Sequence, residues 1–251
     1  MSQVHIGTSG WTYASWKGPF YPSSMPSRQY LEFYAKEFST TEVNYSFYHL
    51  PRPSTYEKWA SQVPDDFIFA LKASRFITHV KRLVDVGEAW ATFLQNALAL
   101  GSHLGPVLLQ CPPSLRRDRK RLVTFLKVVQ HSAPQAYRLR LAFEFRHDSW
   151  FTDDVYALLW QHNAALCIAD SLRYPRYDRV TADFVYIRFH GRTELFASKY
   201  TERELAEEAK RIRRYLRDGL DVYVYFNNDA LGHAVENARA LTDLLDNRQR
   251  S

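Results

Sequence analysis

The sequence predicts one (β/α)8 barrel of the TIM type, a single domain spanning all 251 residues. Three observations carry this expectation. Short strand-like apolar runs alternate with amphipathic helical stretches about eight times, the count that closes such a barrel. Within the runs one parity is apolar and the other polar, as expected when one face meets outer helices and the other lines the interior. The polar residues also gather toward the C-terminal ends of the runs, where barrel enzymes build their sites. An open doubly wound sheet is the rival. It would show a Gly-rich phosphate turn after an early strand, and Gly7-Thr8-Ser9-Gly10 lacks the spacing.

Residues 4–9 read as the first strand, stopped by Gly10, and the aromatic, Gly/Pro-punctuated stretch 11–22 as a loop. A helix is expected over 27–38 and the second strand over 40–44. Pro53, followed by Ser54, opens a helix that runs to about Gln62. The third strand covers 67–72. After a basic loop, the spacing of Trp90, Phe93, Leu94 and Ala97 predicts a helix over 86–100. Gly105-Pro106 turns the chain into the fourth strand, 107–110, which Pro112-Pro113 ends; a cis peptide at Cys111-Pro112-Pro113 would shape the rim. Leu122, Phe125, Leu126 and Val129 form the next helical stripe.

The fifth strand opens the stretch 141–150, around which the chain is organised. Its Ala142, Glu144 and Arg146 point one way, and Phe143 and Phe145 the other. Opposite charges on so apolar a strand must meet each other, water or a ligand. A helix over 153–162, strands over 165–169 and 184–189 and a helix over 202–217 follow. That helix carries a seam of Leu205, Ala209, Ile212 and Leu216 and is ended by Gly219. The last strand is 222–226 and the closing helix 231–245. From about residue 247 a disordered basic tail is expected.

The inward parity brings together His5, Gly7 and Ser9; Thr40, Glu42 and Asn44; Lys72; Gln110; Glu144 and Arg146; Tyr186, Arg188 and His190; and Tyr223, Tyr225, Asn227 and Asp229. Strand six is the exception, with Asp170 just beyond its end. Lys72, Arg146 and Arg188 could clamp an anion, the arginines in bidentate fashion. Glu42, Glu144, His190 and Asp229 could serve as acid and base, or hold a hard divalent metal. Asn44, Gln110, Asn227, Asn228, Trp11 and Tyr13 are candidate substrate contacts. His147 adjoins the strand end and could reach the site, although capping a backbone group would account for it. Turn chemistry alone would account for Asn227-Asn228-Asp229. The bland alternative for the whole set is a charge-compensated network in which Glu42, Glu144 and the cations satisfy one another.

Composition bounds the function classes. The net charge of +6 favours anionic partners, and the basic runs 116–121, 210–214 and 248–250 account for much of it. Cys111 and Cys167 lie in apolar runs without metal spacing, so buried reduced thiols are expected. No secretory signal and no membrane-length apolar run are visible, which points to a cytoplasmic protein without a membrane partner. Oligomeric state is left open. A serine nucleophile is not expected, since Ser9 has no G-x-S-x-G elbow around it.

The same stretches resemble the YecE-like family, domain of unknown function 72. The resemblance lies in Gly7-Thr8-Ser9-Gly10-Trp11 with Tyr13 and Trp16, Phe20-Tyr21-Pro22, and Glu42-Val43-Asn44 with Phe47-Tyr48. It continues through 67–72, Leu104-Gly105-Pro106, Gln110-Cys111-Pro112-Pro113 and Ala142-Phe143-Glu144-Phe145-Arg146-His147 with Trp150. It ends with Arg188-Phe189-His190-Gly191, Tyr200, Tyr225-Phe226-Asn227-Asn228-Asp229, Ala234 and Asn237-Ala238. It implies a TIM-type barrel, adds Tyr200 to the candidate contacts, and supplies no settled activity. The residues themselves suggest a hydrolase-like enzyme acting on a small phosphorylated or otherwise anionic substrate, with a divalent metal as possible cofactor. The alternative is a non-catalytic binder of nucleic acid or a nucleotide, stacking bases on Trp11, Tyr13, Trp16 and Trp150.

Overall fold

The computed structural model describes residues 2–132, 138–192 and 194–246; the expected disordered tail lies outside them. Eight parallel strands close into a barrel in sequence order. They are β1 (Val4–Thr8), β2 (Thr40–Val43), β3 (Ile68–Lys72), β4 (Leu104–Gln110), β5 (Leu141–Glu144), β6 (Ala164–Asp170), β7 (Phe184–Phe189) and β8 (Asp221–Phe226). The expected parity is the observed one. Ala70, Leu108, Ala142, Ala165, Cys167, Phe184, Tyr186, Tyr223 and Tyr225 pack together inside, while Ile6, Phe69, Leu71, Leu109, Phe143, Ile187 and Val224 join the larger core under the helices. Inside, small residues on β3, β5 and β6 leave room for the tyrosines of β7 and β8. Each tyrosine hydroxyl finds a partner: Tyr186 with Glu42, Tyr225 with Thr40, and Tyr223 with Arg140. Cys111 and Cys167 are buried free thiols, and burial pushes Cys111 up to about 12.

The outer layer consists of α1 (Tyr30–Tyr34), α2 (Tyr45–Tyr48), α3 (Pro53–Ala60), α4 (Gly87–Ala97), α5 (Arg119–Ser132), α6 (Asp153–Gln161), α7 (Glu202–Arg217) and α8 (His233–Asp246). The stripes expected on α4 and α5 are the residues buried there. Pro53 occupies the first turn of α3, where its missing N–H costs nothing. A capping box, Thr201 with Glu204, starts α7, and Gly219 follows its end at φ +81°.

Several expectations need correction. The helix over 27–38 shortens to a 3-10 turn and α1. Gly105-Pro106 lies inside β4, where the β3–β4 register shifts, so the proline needs no ladder hydrogen bond. The loop after Lys72 contains a π-helical turn, Phe76–Val80. Among the described residues no peptide is cis, Cys111-Pro112-Pro113 included. Trp16 and Trp150 are fully buried, Trp150 against Phe145 with ring centroids 4.4 Å apart, so neither offers a stacking surface. His5 lies at the opposite, N-terminal end of the barrel, stacked on Tyr223. Among the described residues no helix is long and apolar enough to cross a membrane.

Between β6 and β7 the chain runs without a helix. A charge cluster ties this segment down instead. Arg176 bonds Asp170 and reaches Glu208 Oε2 at 3.0 Å, while Arg192 donates to Asp170 Oδ2 at 2.8 Å and Glu208 Oε1 at 3.0 Å. Asp170 is on the outward parity of β6, which is why it falls outside the interior set. Glu208 interrupts the buried seam of α7, and that is the sequence signal for this cluster.

The β1–β2 seam depends on one glycine. A Cβ on Gly7 would lie 2.1 Å from the Thr40 carbonyl oxygen and 2.9 Å from the Tyr34 hydroxyl. That hydroxyl accepts from Thr8 N–H at 2.9 Å and donates to Thr40 O at 3.0 Å. Gly7→Ala is therefore expected to destabilise the barrel by about 3 kcal/mol, read by denaturant unfolding; an unchanged midpoint would contradict the close approach.

Candidate functional site

Arg188 projects inward from β7 and is fully buried. Its Nη2 donates to Glu42 Oε1 at 2.7 Å and its Nη1 to Glu144 Oε2 at 2.5 Å, so one guanidinium spans the barrel between β2 and β5. The remaining carboxylate valences are also filled. Ser9 Oγ and Tyr186 OH each donate to Glu42 at 2.7 Å; Arg146 Nε donates to Glu144 Oε1 at 2.6 Å and Gln110 Nε2 to the same oxygen at 3.0 Å. Buried charges demand this density of partners. Burial pushes the Glu144 carboxyl up, yet Arg146 and Arg188 outweigh it and hold the group well below the usual carboxylate range. His190, also fully buried, has its Nε2 3.9 Å from Glu144 Oε2 and its Nδ1 3.0 Å from the Asn227 amide. Burial and the neighbouring Arg188 keep its imidazole neutral.

Above this layer the C-terminal rim opens into a cavity of about 1120 Å³. Arg28, Lys58, Lys72, Arg75 and Arg146 contribute positive charge to its wall, and among the described lining residues only Asp229 is acidic. Trp11, Tyr13, Tyr45, Phe47, Tyr48, Trp59 and Phe196 give the wall an aromatic character, with Asn44, Gln110 and Asn227 between them.

Lys72 ends β3 with 8% of its surface exposed. Its ammonium lies 4.1 Å from the Phe47 ring centroid and, among the described residues, makes no ion pair with a carboxylate. Burial and the nearby Arg188 lower its pKa from 10.5 to about 7, against the pull of Glu144 and Glu42. Burial raises the Asp229 carboxyl above its ordinary value; Tyr13, whose hydroxyl donates to the Ser9 carbonyl at 2.5 Å, stands beside it.

The structure thus divides the sequence-derived set. Lys72, Arg146, Asn44, Gln110, Asn227, Asp229, Trp11 and Tyr13 share the cavity wall. Glu42, Glu144, Arg188 and His190 form the sealed layer below. Three candidates lie elsewhere. Tyr200 is buried, donating to Asp170 Oδ1 at 2.8 Å and accepting from Gly191 N–H. Asn228 donates to Ser198 O and Asn237 Oδ1. His147 Nδ1 accepts from Ser149 N–H, the capping role foreseen for it. Sequence reasoning missed Arg28, Lys58 and Arg75, which sit on loops and helix ends, and Tyr45, Phe47 and Tyr48, whose signal was an aromatic run directly after a strand.

The donor set does not fit a metal. The oxygens of Glu42 and Glu144 are already committed to cations and hydroxyl donors, and Asp229 lies apart on the wall. Among the described residues no three His, Cys, Asp or Glu side chains gather where they could share an ion.

Two outcomes test this arrangement. Arg188→Met strands two buried carboxylates and is expected to cost about 3–5 kcal/mol at pH 7. The stability that ionised Glu144 supplies is present above 4.5 and lost as pH falls through its depressed folded pKa. In the variant Glu144 loses Arg188 and protonates more readily, so the deficit should narrow in acid; a deficit constant from pH 7 to 4 would speak against the charge bridge. Lys72 behaves oppositely. With its folded pKa lowered from 10.5 to about 7, the unfolded chain binds more protons across that window, and stability rises with pH. Lys72→Met should therefore raise the unfolding midpoint at and below pH 7, with the gain shrinking toward alkaline pH.

Comparison with known proteins places this architecture. The profile described as "Protein of unknown function DUF72" matches residues 5–251. UPF0759 protein YunF of Bacillus subtilis is 27% identical over 276 residues, covering 97% of this chain and 95% of YunF. UPF0759 protein YecE of Escherichia coli is 30% identical over 149 residues, 59% of this chain and 50% of YecE. The crystal structure of a DUF72 family protein from Thermotoga maritima aligns with a TM-score of 0.86 at 30% identity, covering 97% of this chain and 99% of that one. With the match running from the first strand through the rim residues to the closing helix, the chain belongs to the DUF72 family.

Proposed function

We propose that this barrel is an enzyme acting on a small anionic substrate, phosphorylated or carboxylated, held in the rim cavity. One observation carries the reading: a nearly buried ammonium, Lys72, faces a cavity whose other charged wall residues are cationic except for Asp229. An anion supplies the oppositely charged partner that Lys72 has not got among the described residues, and charge-assisted hydrogen bonds from Lys72 and Arg146 orient it. Arg146 is preset for this, its Nε fixed by Glu144 and its guanidinium carbon 4.1 Å from the centroid of the Tyr174 ring. Trp11 and Phe47 receive the apolar part of the substrate. Asp229, whose proton affinity burial raises, is the acid or base of the wall. Glu42, Glu144, Arg188 and His190 act as a rigid floor. Hydrolysis by protein side chains fits this wall; a metal-assisted form has no donor set here.

A second reading, binding of nucleic acid or a nucleotide, draws on Tyr48 and Tyr45, which are 70% and 52% exposed at the cavity mouth near Arg75 and Lys58. Its signature is affinity for a short single-stranded oligonucleotide that falls steeply with salt. Absence of such binding in low salt removes it.

The anion reading is tested by calorimetric titration with sulfate, whose own charge is constant across neutral pH. Affinity should fall as pH rises through about 7, where Lys72 discharges. Losing one charge-assisted hydrogen bond should weaken binding about tenfold or more in Lys72→Met. Sulfate binding that ignores both pH and the substitution would refute the assignment.

A further inference from the structure

An anion site needs only fixed charge, which Arg146 and Arg75 supply beside Lys72. Lys72 differs from them in chemistry and setting. It is a primary amine on a strand end, set over the Phe47 ring and, among the described residues, in no ion pair with a carboxylate. The same ring is flanked by His79, centroids 5.0 Å apart in an edge-to-face contact, and His79 Nδ1 is 2.9 Å from Thr78 Oγ1. Both His79 and Lys72 face the cavity. Desolvated lysines beside other cations are the ones that serve as amine nucleophiles.

We propose that Lys72 forms an imine with the carbonyl carbon of an aldehyde or ketone that also carries an anionic group, held by Arg146 and Arg75. This deepens, and rests on, the reading of the cavity as an anion site. The neutral Nζ adds its lone pair to the carbonyl carbon and the π pair moves to oxygen; the nitrogen then loses one proton and the oxygen gains one, giving a neutral carbinolamine. A second proton on that hydroxyl allows water to leave as the nitrogen lone pair closes the C=N bond, leaving a protonated imine. Atoms balance with one water released and no oxidant or reductant consumed. Burial and the charges of Lys72, Arg146 and Arg75 lower the His79 pKa to about 4, so its imidazole stays neutral on the same wall, and solvent carries away the proton that the nitrogen loses. Asp229 is the wall group able to return one.

Burial is the main influence that favours the free amine on Lys72; Arg188 and Arg146 add to it, and Glu144 and Glu42 oppose it. The amine should therefore be reactive at neutral pH, where exposed lysines are almost wholly protonated.

The experiment incubates the full chain with pyridoxal 5′-phosphate, or with glyoxylate, plus cyanoborohydride at pH 7, and maps adducts by peptide mass spectrometry. The expected result is preferential reduction onto Lys72, at least tenfold faster than onto Lys58 or the surface lysines, and slowed by sulfate. Lys72→Met and Lys72→Arg should both fold and lose that adduct, while sulfate binding is weakened in Lys72→Met and retained in Lys72→Arg. Sulfate binding with labelling spread evenly over the lysines overturns the imine and leaves the anion reading standing. Rapid labelling of Lys72 that sulfate does not slow supports the imine chemistry and removes the anion clamp.

Discussion

The site depends on one buried guanidinium. Arg188 lies between Glu42 and Glu144 and joins strands on different sides of the barrel. Each of the three charges would be costly alone, because the interior offers little solvation. Together they form a layer with few open valences, Arg188 Nε being one buried atom without a partner. Such a layer is a weak source of net stability and a strong source of geometry. Its members have almost no alternative arrangement that leaves all charges paired.

This layer also sets the sign of the cavity above it. Both carboxylates spend their charge on Arg188 and Arg146, so they do not neutralise the wall. What reaches the cavity is Lys72, the outer part of Arg146, and the loop cations. The electrostatics of the rim therefore follow from pairings made beneath it. The lowered proton affinity of Lys72 has the same origin, since burial and the cationic Arg188 both disfavour its charged form.

The scaffold shows a comparable division on its outer side. Where β6 to β7 lacks a helix, Asp170, Arg176, Arg192 and Glu208 tie the connection to α7. That connection carries Tyr174, which stacks on Arg146, and the loop after β7 carries Phe196 over His190, so the cluster indirectly fixes part of the cavity wall. Charge networks here replace apolar packing at the places where the chain is irregular.

How much of this was legible follows from the range of the forces involved. Alternation along a strand is a local, period-two property, so inward-facing Glu42, Glu144, Arg188 and Lys72 could be read from the chain alone. The same holds for the buried stripes of α4 and α5, and for Pro53 at a helix start. Height within the barrel is different. Glu144 and Arg146 share a parity, yet one is sealed below and the other reaches the wall, because β5 ends at Glu144 and Arg146 stands two residues beyond it toward the rim. Tyr200, Asn228 and His147 carry the right chemistry beside the right strands, but hydrogen bonds hold them away from the cavity, a turn bond for His147 and bonds to residues 30 positions away, Asp170 and Ser198, for Tyr200 and Asn228. The sequence by itself determined the barrel and which side chains enter it. Only closure of the sheet decided which charges meet, since the partners of Arg188 lie 44 and 146 residues away and come within bonding distance solely in the closed ring.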